Sequence, residues 1–114
     1  MQQYTFEKPP FIEELVFRMK PECVEDFIRV AREHWLPGLS KQKGFLGGEL
    51  WIGDKDTGEV GEYYFWENYE DFASLDQEWL SDMKRKAGAL TQGYGISLIP
   101  AFSKGKKFKA CEFR

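Results

Sequence analysis

GFLGGELWIGDKDTGEVGEYYFWENYEDF, residues 44–72, reads as a strand, a tight connection, a second strand and the start of a helix. Successive strand residues point to opposite faces, so the apolar residues from Phe45 to Ile52 form two sets. Leu46, Leu50 and Ile52 point one way, and Phe45 and Trp51 the other. The return strand, Glu59 to Trp66, sets Val60, Tyr64 and Trp66 against Tyr63 and Phe65. Neither face suits water alone. One chain of 114 residues supplies helices for one face. The natural cover for the second face is another copy of the same sheet, so the expectation is a two-layer α+β protomer that forms a homodimer.

Upstream, Pro9 and Pro10 exclude both helix and central strand and close an arm over residues 1–10, in which Tyr4 and Phe6 are available to dock on a neighbour. Phe11 to Met19 then alternates as a strand: Phe11, Leu15, Phe17 and Met19 share a face with Glu13, and Ile12 and Val16 share the other with Glu14 and Arg18. Pro21 and Glu22 suit the first turn of a helix. Val24, Phe27, Ile28, Ala31 and Trp35 recur at helical spacing until Pro37 and Gly38, where the helix is expected to stop.

Downstream of the hairpin, Asn68 is a suitable N-cap, and Phe72, Leu75, Trp79, Met83, Ala87 and Leu90 mark a second amphipathic helix with a break near Asp76. Ile96 to Phe102 reads as the last core strand, at an edge because of Pro100. The basic tail, residues 103–114, is expected to be disordered or to add a strand to a partner subunit. The order is strand, helix, strand, strand, helix, strand. Interleaved right-handed crossovers make this a ferredoxin-like βαββαβ domain over residues 11–102: a four-stranded antiparallel sheet with both helices on one face.

The net charge of −3 offers no general attraction for nucleic acid or an anionic membrane. YYFW on the third strand resembles a base-stacking run, but Glu13, Glu14, Glu59 and Glu62 stand where an RNA reader needs cations. No stretch approaches the ~20 apolar residues of a membrane span. Cys23 and Cys111 have no metal-ligand spacing and suggest reduced thiols in a cytoplasmic protein.

Chemistry-bearing motifs are sparse. DKDTG begins like a calcium loop but lacks the closing glutamate and the flanking helices. A lone histidine, His34, is too little for a zinc or iron site, and neither a nucleophile elbow nor a phosphate loop is present. No cofactor is expected. The topology gathers Trp35, Trp51, Tyr64 and Trp66 as candidate lining of a cleft for a small apolar or aromatic molecule, with His34 and Glu14 as candidate proton acceptors.

VFRMKPECVEDFI, HWLPGLSKQKGFLGGELWIG and YYFWENYEDFASL together resemble the dimeric α/β-barrel superfamily that includes the antibiotic biosynthesis monooxygenases. The likeness is nearest to small bacterial members with the succession W-x-P-x-L, GF-x-G and W, and it extends from Phe11 to Phe102. It implies a homodimer whose sheets face each other in an α/β barrel. It also implies cofactor-independent oxidation by O₂ of an electron-rich aromatic of quinol or anthrone type, with Trp66 where the superfamily commonly places a tryptophan. The haem degraders of the superfamily add an Asn on the first strand and a His on the second helix, and this chain has neither. The alternative is a non-catalytic homodimer that binds a small molecule or serves as an assembly module.

Overall fold

A computed structural model describes residues 8–114; the docking expected of Tyr4 and Phe6 lies outside them. Strands β1 (Phe11–Arg18), β2 (Phe45–Gly53), β3 (Glu59–Trp66), β4 (Ser97–Ile99) and β5 (Lys107–Phe113) form one sheet in the order β4-β1-β3-β2-β5. Every neighbouring pair is antiparallel. The four-stranded ferredoxin-like layout expected from the element order is therefore wrong: the sheet has five strands. The tail supplies the fifth, pairing Gly48 with Phe113 and Gly53 with Lys107 on its own chain. Cys111 and Phe113 pack against the core while Lys107, Lys109 and Ala110 stay exposed, a weak alternation that suits an edge strand protected by charge. The last expected core strand shrinks to the three residues of β4.

β2 departs from strict alternation. The register shifts between Phe45 and Gly47, so Leu46 is an extra residue in a β-bulge. Phe45, expected on the face opposite Leu50, instead meets Trp66 edge-on at 5.3 Å and stacks on Phe113 at 6.1 Å. Leu46 is turned out and is 46 % exposed.

The first helical segment runs on through the proline expected to end it. After a 3₁₀ turn at Pro21–Cys23 come α1 (Val24–Val30), a π-helical turn (Ala31–Trp35) and α2 (Leu36–Leu39). Leu36 N–H reaches back to Ala31 O, and this wider turn opens the hydrogen-bond ladder just where Pro37 has no N–H to give. Asn68 Oδ1 accepts from Asp71 N–H to cap α3 (Tyr69–Ala73), and Asp76 caps α4 (Gln77–Leu90).

These helices lie against the sheet face that carries Leu50, Tyr64 and Trp66, with Leu36 and Leu39 buried against it. α4 is the looser cover: no residue along it is fully buried. Across the sheet, Phe102 sits on Gly61, where a Cβ would stand 2.8 Å from the ring. Glu59, 2 % exposed, holds that loop by accepting from Ser103 N–H at 3.0 Å and from Arg18 at 2.8 Å. The chain thus covers part of its second face itself.

Candidate functional site

Because α4 stands off the sheet, a cavity of about 300 Å³ opens between it, the first helical segment and strands β1 and β3. Leu15, Phe17, Phe27 and Trp35 make most of its wall apolar, and Glu62 and Lys84 are its ionisable groups. The volume suits a molecule of one to three rings.

Period-two alternation puts two carboxylates on the helix-covered face. Glu13 faces inward with Phe11, Leu15 and Phe17, and Glu62 lies between Val60 and Tyr64. Glu13 Oε1 accepts from Trp66 Nε1–H at 3.2 Å. Burial raises the Glu13 carboxyl; the Trp66 hydrogen bond and the Lys84 charge draw it part of the way back. Glu62 is 5 % exposed, and burial pushes it up to about 7, with Tyr64 opposing and the Glu13 charge adding to the rise. A carboxylate in that range exchanges a proton at neutral pH.

Tyr64 is fully buried, and its phenol is raised well above its ordinary value by burial and then by the charges of Glu62 and Glu13. Its hydroxyl is within the influence of both Glu62 and the Trp35 indole N–H. Neither Tyr64 Oη nor Trp35 Nε1 completes a hydrogen bond among the described residues. Trp35 is held in place by the π-helical turn and by Trp79, stacked at 6.3 Å.

The six residues singled out in the sequence do not share one site. Trp35 lines the cleft, and Tyr64 and Trp66 lie in the buried cluster beneath it. Trp51 is on the opposite sheet face, donating to Glu49 Oε1 at 3.0 Å with Lys109 Nζ 5.8 Å from its ring. Glu14 is exposed on that face near Tyr63, whose phenol burial and the Glu14 charge push up to about 12. His34 is half-exposed with Glu33 3.9 Å away, and does not line the cleft. From the sequence, Glu13 and Glu62 weigh only as charges unfavourable to RNA, and neither they nor Lys84 count as site residues. The signal for the two glutamates was present: each interrupts the apolar set of its strand at an inward position.

A second hollow, about 340 Å³, lies on the opposite face between Ile12, Leu46, Phe65 and Lys109. It is somewhat larger than the cleft but holds no buried titratable group. Among the described residues no cluster of His, Cys, Asp and Glu is arranged to hold a metal ion, and no helix is long and apolar enough to cross a membrane. In comparisons with known proteins, no family model and no curated sequence matches the chain.

Proposed function

We propose that the chain is a cofactor-independent oxygenase of small electron-rich aromatics, of quinol or anthrone type, with Glu62 as the base. The observation that carries this reading is a buried carboxylate, pushed by burial up to about 7, on the mostly apolar wall of a cleft that it shares with Lys84. The resemblance to the antibiotic biosynthesis monooxygenases supports it. Glu62 fills the part for which His34 and Glu14 were candidates, because neither lines the cleft.

For an anthrone, Glu62 takes one proton and the electron pair stays on the ring system. The anion passes one electron to O₂, and the radical pair combines to form a carbon–oxygen bond. Loss of the second methylene proton and cleavage of the O–O bond leave a ring carbonyl and one water. O₂ accepts all four electrons, so no further reductant is needed. Desolvation of the base and exclusion of bulk water are the protein's contribution.

The same reading includes a homodimer. Ile12 and Leu46, 51 % and 46 % exposed on the face away from the helices, support a second copy there. Sedimentation of wild type against an Ile12→Lys, Leu46→Lys double variant tests this, and an unchanged mass would remove it.

Oxygen uptake with a panel of dihydroquinones and anthrones, with no metal or flavin added, tests the reaction. Uptake is expected in wild type and should fall about a hundredfold or more in Glu62→Gln. Thermal stabilisation by the same compounds without uptake would instead favour the non-catalytic binding module.

A further inference from the structure

Lys84, Arg85 and Lys86 are consecutive on α4, but they are not equivalent. Asp82 pairs with Arg85, three residues on, and with Lys86, four residues on, at 3.0 Å for the lysine. Lys84 stands two residues from Asp82, about 200° round the helix, so that carboxylate does not face it. Its own neighbours three and four residues away are Leu80, Ser81, Ala87 and Gly88, none of them acidic. Lys84 accordingly makes no ion pair among the described residues.

Lys84, Ala87, Gly88 and Thr91 form the stripe of α4 that lines the cleft. The stripe that a helix turns to a sheet is normally apolar, and here it carries a cation. Although Lys84 is exposed, its charge reaches Glu13 on the inward side of β1 and draws that carboxyl down. The charged groups facing it from the sheet are Glu13 on β1 and Glu62 on β3, and the first helical segment adds none to the lining. A base and a cation without an ion-pair partner therefore share one cavity, on opposite layers of the fold.

We propose that Lys84 is the counter-charge for the anion that Glu62 generates: the substrate lies in the cleft between them, and an oxygen of its conjugate anion pairs with Lys84 Nζ. The inference rests on the function proposed above and adds the group that holds the charge. Before transfer the negative charge is on Glu62 and the ligand is neutral. The ligand O–H bond, or in an anthrone the C–H bond, breaks and its proton passes to a Glu62 carboxyl oxygen. The electron pair stays on the ligand, where delocalisation brings the charge to oxygen. Charge thus crosses the cleft from β3 towards α4, and the ammonium attracts the anion more strongly than the neutral ligand. Apolar walls screen that attraction less than open water does. The ligand class is a neutral acid of phenol, quinol or anthrone type whose anion carries charge on oxygen. An aryl ether, with no acidic hydrogen, gains nothing from Lys84.

Binding of 4-nitrophenol tests the pairing without any oxidation, because its phenolate absorbs at longer wavelength than the neutral form. Glu62→Gln removes the base's own titration from the readout. This variant is expected to bind the phenolate about fivefold or more tightly than the Glu62→Gln, Lys84→Met double variant, the upper range for a partly exposed charge pair. Lys84→Arg in the same background should keep the affinity, and Arg85→Met, which removes a charge on the solvent side, should stay within about twofold of its parent. Binding of 4-nitroanisole should be the same in all of them, which also reports that the cleft is intact. With the anthrone panel, Lys84→Met in the otherwise wild-type chain should lower oxygen uptake about fivefold or more, in kcat rather than KM. Failure to bind 4-nitrophenol, equal losses for phenol and ether in Lys84→Met, or the same loss in Arg85→Met would each overturn the assignment. Phenolate binding that depends on Lys84 with no oxygen uptake by wild type would keep the counter-charge and end the oxygenase reading. Full uptake by Lys84→Met would keep the oxygenase and end the counter-charge.

Discussion

Trp66 on β3 donates its indole N–H to Glu13 on β1 at 3.2 Å, so the fully buried tryptophan is tied to a carboxylate that also faces Glu62. Glu13 has two separable effects, accepting that N–H and adding negative charge near Glu62. Glu13→Gln keeps an acceptor and removes the charge. It should therefore lower the pH at which Glu62 ionises, with little loss of stability. Glu13→Ala leaves the indole N–H unmet and should cost about 1–3 kcal/mol in denaturant unfolding. An unmoved Glu62 titration in Glu13→Gln, followed by carboxyl carbon NMR, would break the coupling.

Glu62 makes stability depend on pH in a direction opposite to that of a salt-bridged acid. Its folded value of about 7 lies above the ordinary glutamate value of 4.5, so the folded state binds the proton more tightly than the unfolded chain. The penalty is absent below about 4.5, grows through the window up to about 7 and is constant above it. Its size is about 3 kcal/mol. The groups facing Glu62 are Tyr64 on the same strand, Glu13 on β1 and Lys84 on α4. Glu62→Gln should be more stable than wild type at pH 8, with the difference vanishing below pH 4.5. Parallel Tm curves across that range would contradict this account.

Gly88 lines the cleft from α4, and a Cβ there would meet nothing within 4 Å. Gly88→Ala is expected to stabilise the helix by about 0.5–1 kcal/mol by removing backbone freedom from the unfolded chain. Gly88→Leu should also fold, but with its side chain in the cavity, lowering oxygen uptake with the dihydroquinone and anthrone panel about tenfold or more. Undiminished uptake by a folded Gly88→Leu would place the substrate elsewhere.

Phe113 near the end of β5 stacks on Phe45 and tilts against Tyr64 at 6.4 Å. The fifth strand is thus part of the core beside the site. Phe113→Ala should cost about 2–3 kcal/mol and loosen Tyr64 with it. A stability change of under about 0.5 kcal/mol, the level of an ordinary surface substitution, would show that the tail does not pack there.

The parts of this fold legible in the sequence were those governed by local pattern. β3, its alternation, the Asn68 cap and the break before α4 all follow from neighbouring residues. What escaped depended on cancellation or on distant pairing. The Leu46 bulge reverses the side of Phe45, and only the β2–β3 register reveals it. Pro37 is accommodated because the preceding π-helical turn removes the demand for its N–H. β5 forms because β2 has an open edge, which the weakly alternating tail does not announce by itself. In the site, aromatic residues drew attention that two inward glutamates warranted more. Trp51 failed to join Trp35 because the strand pleat turns it to the other face.

The Glu59 latch predicts a second pH response, of the opposite sign. Burial alone would raise its carboxyl, but hydrogen bonds from Arg18 and Ser103 outweigh burial and hold it below the usual carboxylate range. Its stabilising effect is therefore present above the unfolded value and lost as pH falls through the lower folded value. Arg18 is half-exposed, so solvent weakens the ion pair; the acceptor for Ser103 N–H is the more specific element. Glu59→Gln should keep the loop from Ala101 to Lys106 closed and reduce the acid sensitivity. Glu59→Ala should release the loop, exposing Phe102 and accelerating amide exchange at Ser103 about tenfold or more. Equal exchange at Ser103 in wild type and Glu59→Ala would show that Phe102 on Gly61, and not the carboxylate, holds the loop down.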